Sequence, residues 1–177
     1  AETNERMQAL QEQVMPLLSA HRDKIRLDEK LFARVKDVYD RRASLGLDAE
    51  QSRLLRKTYD AFVRSGALLD AGQKARLKEI NGELSLTAVK FGNNILAENN
   101  NFALELTADD LEGLPSGVRD AAREKAQAMG KGDKWVFTLH KPSLIPFLTY
   151  SAKRDLREKI YKAYLNRCNN GDQYDNK

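Results

Sequence analysis

The sequence predicts a mainly α-helical protein, an antiparallel helical bundle with one small two-stranded antiparallel β element. Apolar residues recur at spacings of three and four along most of the 177 residues, which is the period of one helical face. Two short stretches, 102–106 and 135–139, have the pattern of half-buried strands instead. Short connections between the first helical segments favour antiparallel packing of neighbouring helices.

Three helices are predicted before residue 66. The first is expected to kink at Pro16, which cannot donate a helical hydrogen bond, and to end before a charged connection that begins at His21. The second ends near Gly46, where a left-handed residue would close it. The third begins with a capping box at Asp48 and ends near Gly66. The apolar residues of the first helix are Met7, Leu10, Val14 and Leu17.

The longest helical pattern runs from residue 70 to residue 101. Asp70 and Gln73 have the spacing of a capping box at its start, and three consecutive asparagines mark its end. We expect a core helix, because its apolar residues share one stripe. These residues are Leu77, Ile80, Leu84, Ala88, Phe91 and Ile95.

The β element and three more helices follow the long helix. Because two strands are too few to be stable alone, we expect them to pair and to lie against the bundle. Helical patterns are predicted at 118–129, at 143–150 despite Pro146, and around 156–164. Residues 168–177 form a polar tail, which we expect to be disordered.

Length and composition indicate one domain, 1–177. The apolar fraction of 41% and charged fraction of 32% are ordinary for a soluble helical protein, and no apolar run approaches the ~18 residues that would span a bilayer. Cys168 is the only cysteine, so an internal disulfide and a thiolate zinc site are excluded. This fits a reducing compartment. We expect a cytoplasmic location, with the periplasm as the alternative.

The basic residues are concentrated in the C-terminal third, where 116–177 holds thirteen basic and seven acidic residues. A nucleic-acid-binding face is one interpretation of this excess. Interleaved acids and the lack of an accompanying nucleic-acid motif favour a solvated helix face. We therefore expect neither a nucleic-acid nor a membrane partner. The basic residues of the last helix are Lys153, Arg154, Arg157, Lys159, Lys162 and Arg167.

No catalytic, cofactor-binding or metal-binding residue is predicted in this chain. A zinc hydrolase helix needs two histidines one turn apart and a glutamate, but His21 and His140 are far apart and lack that pattern. Serine nucleophile elbows, phosphate loops and dinucleotide fingerprints are also absent. We interpret His21 as solvated, His140 as a partly exposed structural residue and Cys168 as a small buried or half-buried thiol.

Four stretches resemble, in the same order, the N-terminal region of the thimet-oligopeptidase-like family of zinc metallopeptidases. The resemblance covers nearly all of the chain and is greatest to the bacterial peptidyl-dipeptidase (dipeptidyl carboxypeptidase) branch, especially at 30–35 and 66–69. The four stretches are 76–102, with the run Phe91-Gly92-Asn93-Asn94, then 110–115, 135–148 and 154–167.

The resemblance implies a large, mostly helical enzyme whose two lobes flank a deep channel. It also implies zinc in the parent, held by a His-Glu-x-x-His helix and a further glutamate that follow the present sequence. By resemblance, 1–177 is an inactive N-terminal fragment without a cofactor, and it walls one side of the channel. Its partners would be the catalytic lobe and, in the parent, short peptide substrates. The alternative is a stand-alone helical protein-interaction module that binds through exposed helix faces.

Overall fold

A computed structural model describes residues 3–177 and confirms a mainly α fold, 70% helical, with seven α-helices and one two-stranded antiparallel sheet in this range. Two short 3₁₀ turns, Arg42–Ser44 and Ala108–Asp110, complete the regular structure of these residues. The chain divides into two compact units, one up to Lys90 and one from Phe91 onward. The elements are α1 (Glu5–Arg26), α2 (Glu29–Asp40), α3 (Ala49–Arg64), α4 (Ala71–Asn101), β1 (Leu104–Leu106), α5 (Ser116–Ala128), β2 (Trp135–Phe137), α6 (Lys141–Tyr150) and α7 (Arg154–Leu165).

In the first unit, α2 and α3 pack as a helical pair around aromatic side chains. Phe32 at the start of α2 contacts Phe62 near the end of α3, with ring centroids 6.0 Å apart, and both side chains are buried. The rings of Tyr39 and Tyr59 stack at 3.9 Å. The predicted capping box of α3 is present, with the Asp48 carboxylate accepting the backbone N–H of Gln51.

The first helix is longer than predicted. It continues unbroken past Pro16 to Arg26, so His21 lies within α1 and the predicted charged connection is wrong. Buried Asp23 explains the extension, because its carboxylate accepts a 2.8 Å hydrogen bond from the side chain of Asn81 on α4. A tertiary contact of this kind holds a charged helical turn that local sequence alone does not favour.

The helix α4 occupies the predicted range, and its capping box between Asp70 and Gln73 is present. The prediction of a buried apolar stripe on this helix is wrong. Leu84 and Phe91 are 59% and 51% exposed, whereas the buried residues of the helix include Val89 and Asn94. Periodicity reports which face of a helix is apolar, but burial also requires a neighbour on that face.

The second unit has its own core between the strands and α5 to α7. β1 and β2 pair antiparallel as predicted, with Leu104 opposite Phe137 and Leu106 opposite Trp135, and β2 packs against α5. The rings of Phe137 and Phe147 lie 4.5 Å apart and both are almost fully buried. Other buried members of this core are Leu114, Ala122, Leu139, Leu144 and Ile160.

Residues 168–177 form a hydrogen-bonded loop, and the predicted disorder of this tail is wrong. The backbone N–H of Asn176 donates to the carbonyl oxygen of Cys168 at 3.0 Å, which closes the loop. Inside it, the Asp175 carboxylate accepts the backbone N–H groups of Asn170 and Gly171 at 2.7 and 2.9 Å. The polar residues that suggested disorder are therefore the groups that define the loop.

Candidate functional site

The two histidines and the cysteine lie in unrelated local settings. His21 is exposed on α1, and His140 is exposed immediately before α6. Among residues 3–177 no three His, Cys, Asp or Glu side chains come together in a group that could hold a metal ion. The described residues thus do not fit the zinc site that the family resemblance implies for the parent enzyme.

Cys168 is the buried thiol that the sequence suggested. It is 5% exposed and takes a left-handed backbone conformation, with φ 56°, at the start of the C-terminal loop. Burial raises the pKa of its thiol, and the nearby negative charge of Glu98 raises that pKa further. Both effects disfavour the thiolate, so the environment of Cys168 is opposite to that of a nucleophilic cysteine.

Half of the basic residues of α7 and its flanks interact with other groups of the chain. Lys162 pairs with Glu158 at 2.5 Å, and Lys153 lies 4.0 Å from Glu112. The guanidinium of Arg167 donates to the side-chain oxygen of Asn99 at 3.1 Å, and it also lies over the ring of Tyr164. These contacts divide the basic excess among separate local partners.

The most extensive candidate surface is the exposed apolar face of α1. Its members are spaced three, four and three residues apart, which is the spacing of a helix that packs along another helix. Leu17 is 69% exposed and Met7 55% exposed. Soluble proteins rarely leave large contiguous apolar patches in water without a function. We call this surface the α1 stripe; it consists of Met7, Leu10, Val14 and Leu17.

A groove of about 450 Å³ lies beside the α1 stripe, between α1 and the first half of α4. Leu18, Leu77 and Leu84 contribute apolar lining, and Arg22 and Arg26 contribute charged edges. Leu84 belongs to the apolar stripe that was predicted to be buried. The groove and the α1 stripe are two open surfaces of the first unit against which further protein could pack.

The chain is similar to peptidases along nearly its whole length. It is 35% identical over 176 residues to dipeptidyl carboxypeptidase of Escherichia coli (strain K12) and 35% identical over 178 residues to that of Salmonella typhimurium, in both cases over 99% of this chain. It is 29% identical to oligopeptidase A of Escherichia coli over 93% of this chain. No protein-family model matches the sequence.

The relatives that this chain resembles are therefore peptidases. Its homologues are dipeptidyl carboxypeptidase and oligopeptidase A, enzymes of the thimet oligopeptidase family, and it matches a fragment of these larger enzymes. The chain spans about a quarter of the length of these relatives, 26% of the dipeptidyl carboxypeptidases and 25% of oligopeptidase A. None of the helices in the described part of the chain combines the length and apolar character needed to cross a bilayer.

Sequence reasoning missed two features of the second unit. Asn94 and Glu98 on α4 hold the C-terminal loop, and their only sequence signal was the density of asparagine around residue 99. The second feature is Arg157 of α7, whose Nε atom is buried and has no hydrogen-bond partner within residues 3–177. The spacing of apolar residues around 156–164 placed Arg157 on a helix, but it does not indicate whether the Nε atom of this side chain is buried.

Proposed function

We propose that the chain is the non-catalytic N-terminal lobe segment of a zinc metallopeptidase that releases C-terminal dipeptides from short peptides. In that enzyme it would wall one side of the substrate channel. The observation that carries the proposal is the match of 99% of this chain to only 26% of dipeptidyl carboxypeptidase. A segment with this coverage, without a metal-binding group among its described residues, is expected to act through its surface.

The α1 stripe supports the proposed partner, which is the remainder of the parent enzyme including its catalytic lobe. Burying a fully exposed Leu or Met side chain contributes about 1.5 to 3 kcal/mol. Leu17 and Met7 are 69% and 55% exposed, so a covering lobe would add the corresponding part of that free energy at each residue. Zinc would be held by residues of that remainder. Short peptide substrates would meet this segment only in the assembled parent, for which we propose a cytoplasmic location.

The proposal is tested by comparing this chain with the full parent polypeptide in one assay. The substrate is an N-terminally blocked tetrapeptide with a free carboxyl end, with and without a metal chelator. We expect chelator-sensitive release of a dipeptide by the parent and none by the chain alone. Chelator-sensitive release by the chain alone would overturn the claim that this segment is inactive.

A stand-alone helical protein-interaction module is the second candidate function. The same α1 stripe favours it, because an exposed apolar stripe with helical spacing suits the groove-binding mode of helix recognition. The reading frame after Lys177 distinguishes the two proposals. A stop codon there would support the module, whereas a downstream His-Glu-x-x-His sequence would support the peptidase segment.

A further inference from the structure

The C-terminal loop contains an Asn-Gly dipeptide, Asn170-Gly171, that the proposed lobe function does not use. Both residues are exposed, and Gly171 has a left-handed φ of 75°. Asparagine is a thermolabile residue, and it deamidates most readily before glycine, because glycine has no side chain to shield its backbone nitrogen. The sequence holds one other Asn-Gly dipeptide, Asn81-Gly82, within α4.

Deamidation joins two groups of the same dipeptide. The backbone nitrogen of Gly171 loses its proton to hydroxide and attacks the side-chain carbonyl carbon of Asn170. The bond from that carbon to the amide nitrogen breaks, and the nitrogen takes up a proton from water and leaves as ammonia. Water then opens the five-membered succinimide, which leaves a carboxylate at position 170 in an aspartate or isoaspartate linkage.

The attached loop opposes this reaction, because carboxylates hold both reacting groups. The backbone N–H of Gly171 donates to the Oδ2 atom of Asp175 at 2.9 Å, and the side-chain amide of Asn170 donates to the carboxylate of Glu98. Removing the proton from the Gly171 nitrogen would place a second negative charge beside Asp175. Turning the Asn170 amide toward Gly171 would break its hydrogen bond to Glu98. The reaction therefore requires the loop to detach from α4.

Asn81-Gly82 provides a comparison within the same chain. The Asn81 amide donates at 2.8 Å to the carboxylate of Asp23, which is buried. The backbone N–H of Gly82 lies in the interior of α4 and belongs to the hydrogen-bond ladder of the helix. Exposing this nitrogen requires local unfolding of α4, whereas at Asn170 only the contacts of a surface loop must open. The structure thus favours reaction at position 170 over position 81.

We propose that Asn170 is a deamidation site that reacts when the C-terminal loop detaches from α4, and that the product prevents the loop from attaching again. The neutral amide of Asn170 donates to Glu98, whereas a carboxylate cannot donate and is repelled by the charge of Glu98. Glu98 also accepts the backbone N–H of Cys168, so the repulsion acts where the loop begins. This proposal does not depend on the proposed lobe function.

The first test measures deamidation at both dipeptides by peptide mapping after the folded chain is incubated at neutral pH. We expect conversion of Asn170 and protection of Asn81, and similar rates at both sites in the urea-unfolded chain. Asn94→Ala removes a loop contact without touching either reacting group, and should speed conversion of Asn170 by about fivefold or more. Asn93→Ala, at the neighbouring position, should leave the rate unchanged.

If Asn94→Ala does not fold, Asn176→Ala removes the same hydrogen bond from the side of the loop. Equal rates of Asn170 conversion in the original chain and in these variants would overturn the control by loop attachment. Conversion of Asn81 as fast as Asn170 in the folded chain, or no conversion of Asn170, would overturn the site itself.

The second test separates the charge of the product from the loss of a hydrogen bond. Asn170→Asp carries that charge, whereas Asn170→Gln keeps a neutral side-chain amide. Amide hydrogen exchange of residues 168–176 should be about fivefold or more faster in Asn170→Asp than in Asn170→Gln, because only the first variant places like charges together at Glu98. Equal exchange in the two variants would overturn the claim that deamidation keeps the loop detached.

Discussion

The side-chain amide of Asn94 donates a 2.9 Å hydrogen bond to the Oδ1 atom of Asn176, which lies 82 residues further along the chain. The Nδ2 group of Asn176 in turn donates to the carbonyl oxygen of Phe91 at 3.3 Å. One turn further along α4, the carboxylate of Glu98 accepts the backbone N–H of Cys168 at the start of the loop. These contacts attach the C-terminal loop to the second half of α4.

Replacing Asn94 by Ala should destabilise the loop by about 1 to 3 kcal/mol, because Asn94 is only 8% exposed and its partner loses a buried hydrogen bond. Amide hydrogen exchange of residues 168–176 measures this effect. Asn93→Ala is the control, since it makes the same change of helix propensity at a less buried neighbour. Equal exchange in the two variants would contradict a stabilising role for the Asn94 contact.

Gly113 should be intolerant of a side chain for two separable reasons. Its φ of 84° is left-handed, and an added Cβ would lie 2.3 Å from the carbonyl oxygen of Tyr150. Gly132 has a similar φ of 62° but open space at the Cβ position. Gly132→Ala should cost about 1 to 2 kcal/mol from backbone strain alone, and Gly113→Ala clearly more. Urea denaturation compares them, and similar losses would show that the contact with Tyr150 relaxes freely.

The carboxylate of Asp110 should make the free energy of unfolding of this chain depend on pH. Hydrogen bonds from the backbone N–H and the hydroxyl of Thr107 lower its pKa below the ordinary 3.8. Its charge therefore contributes stability above pH 3.8, and this contribution is lost as pH falls through the lowered native value. Asp110→Asn should lack this contribution.

Urea midpoints measured over a pH series test the Asp110 prediction. The difference between the original chain and Asp110→Asn should shrink as the solution becomes more acidic. Asp109→Asn, at the exposed neighbouring position of the same turn, is the control and should show a smaller pH-dependent difference. A difference for Asp110→Asn that is constant with pH would contradict the proposed role of its charge.

The α1 stripe should be dispensable in the isolated chain and important in the parent. Leu17→Gln should change the free energy of unfolding of the isolated chain by no more than about 0.5 kcal/mol, because Leu17 is 69% exposed. Leu27→Gln, at a 7% exposed position that follows the same helix, should cost about 2 to 5 kcal/mol. Thermal denaturation of the isolated chain compares these two variants.

In the parent, Leu17→Gln should lower the melting temperature, whereas Glu12→Gln on the opposite side of α1 should not. This pair distinguishes loss of an apolar contact from any general effect of a glutamine on the helix. Unchanged stability of the parent with Leu17→Gln would show that the α1 stripe remains in water there, and would count against a covering lobe.

Local chemistry accounts for the features that were predicted well. Capping boxes at Asp48 and Asp70 involve residues three positions apart, and the left-handed conformation of Gly66 after α3 reflects the freedom of glycine. Gly46 is also left-handed, but the predicted end of the second helix there is wrong, because α2 ends at Asp40 and a 3₁₀ turn follows. The pairing of β1 with β2 also agreed with prediction. Burial alternates along β1, whereas Val136 and Phe137 of β2 are adjacent and both buried. The extension of α1 through His21 was missed, since it depends on the contact of Asp23 with Asn81.

The mainly α architecture, the capping boxes of α3 and α4, and the homology to peptidases follow from short-range spacing and residue identity in the sequence. Which apolar faces are covered depends on the tertiary structure: Leu84 of α4 is exposed, while Phe147 of α6 is almost fully buried. It also decided that the polar segment 168–177 is held by Asn94. Burial and long-range hydrogen bonds depend on which elements meet, and the periodicity of one segment carries no record of its neighbour.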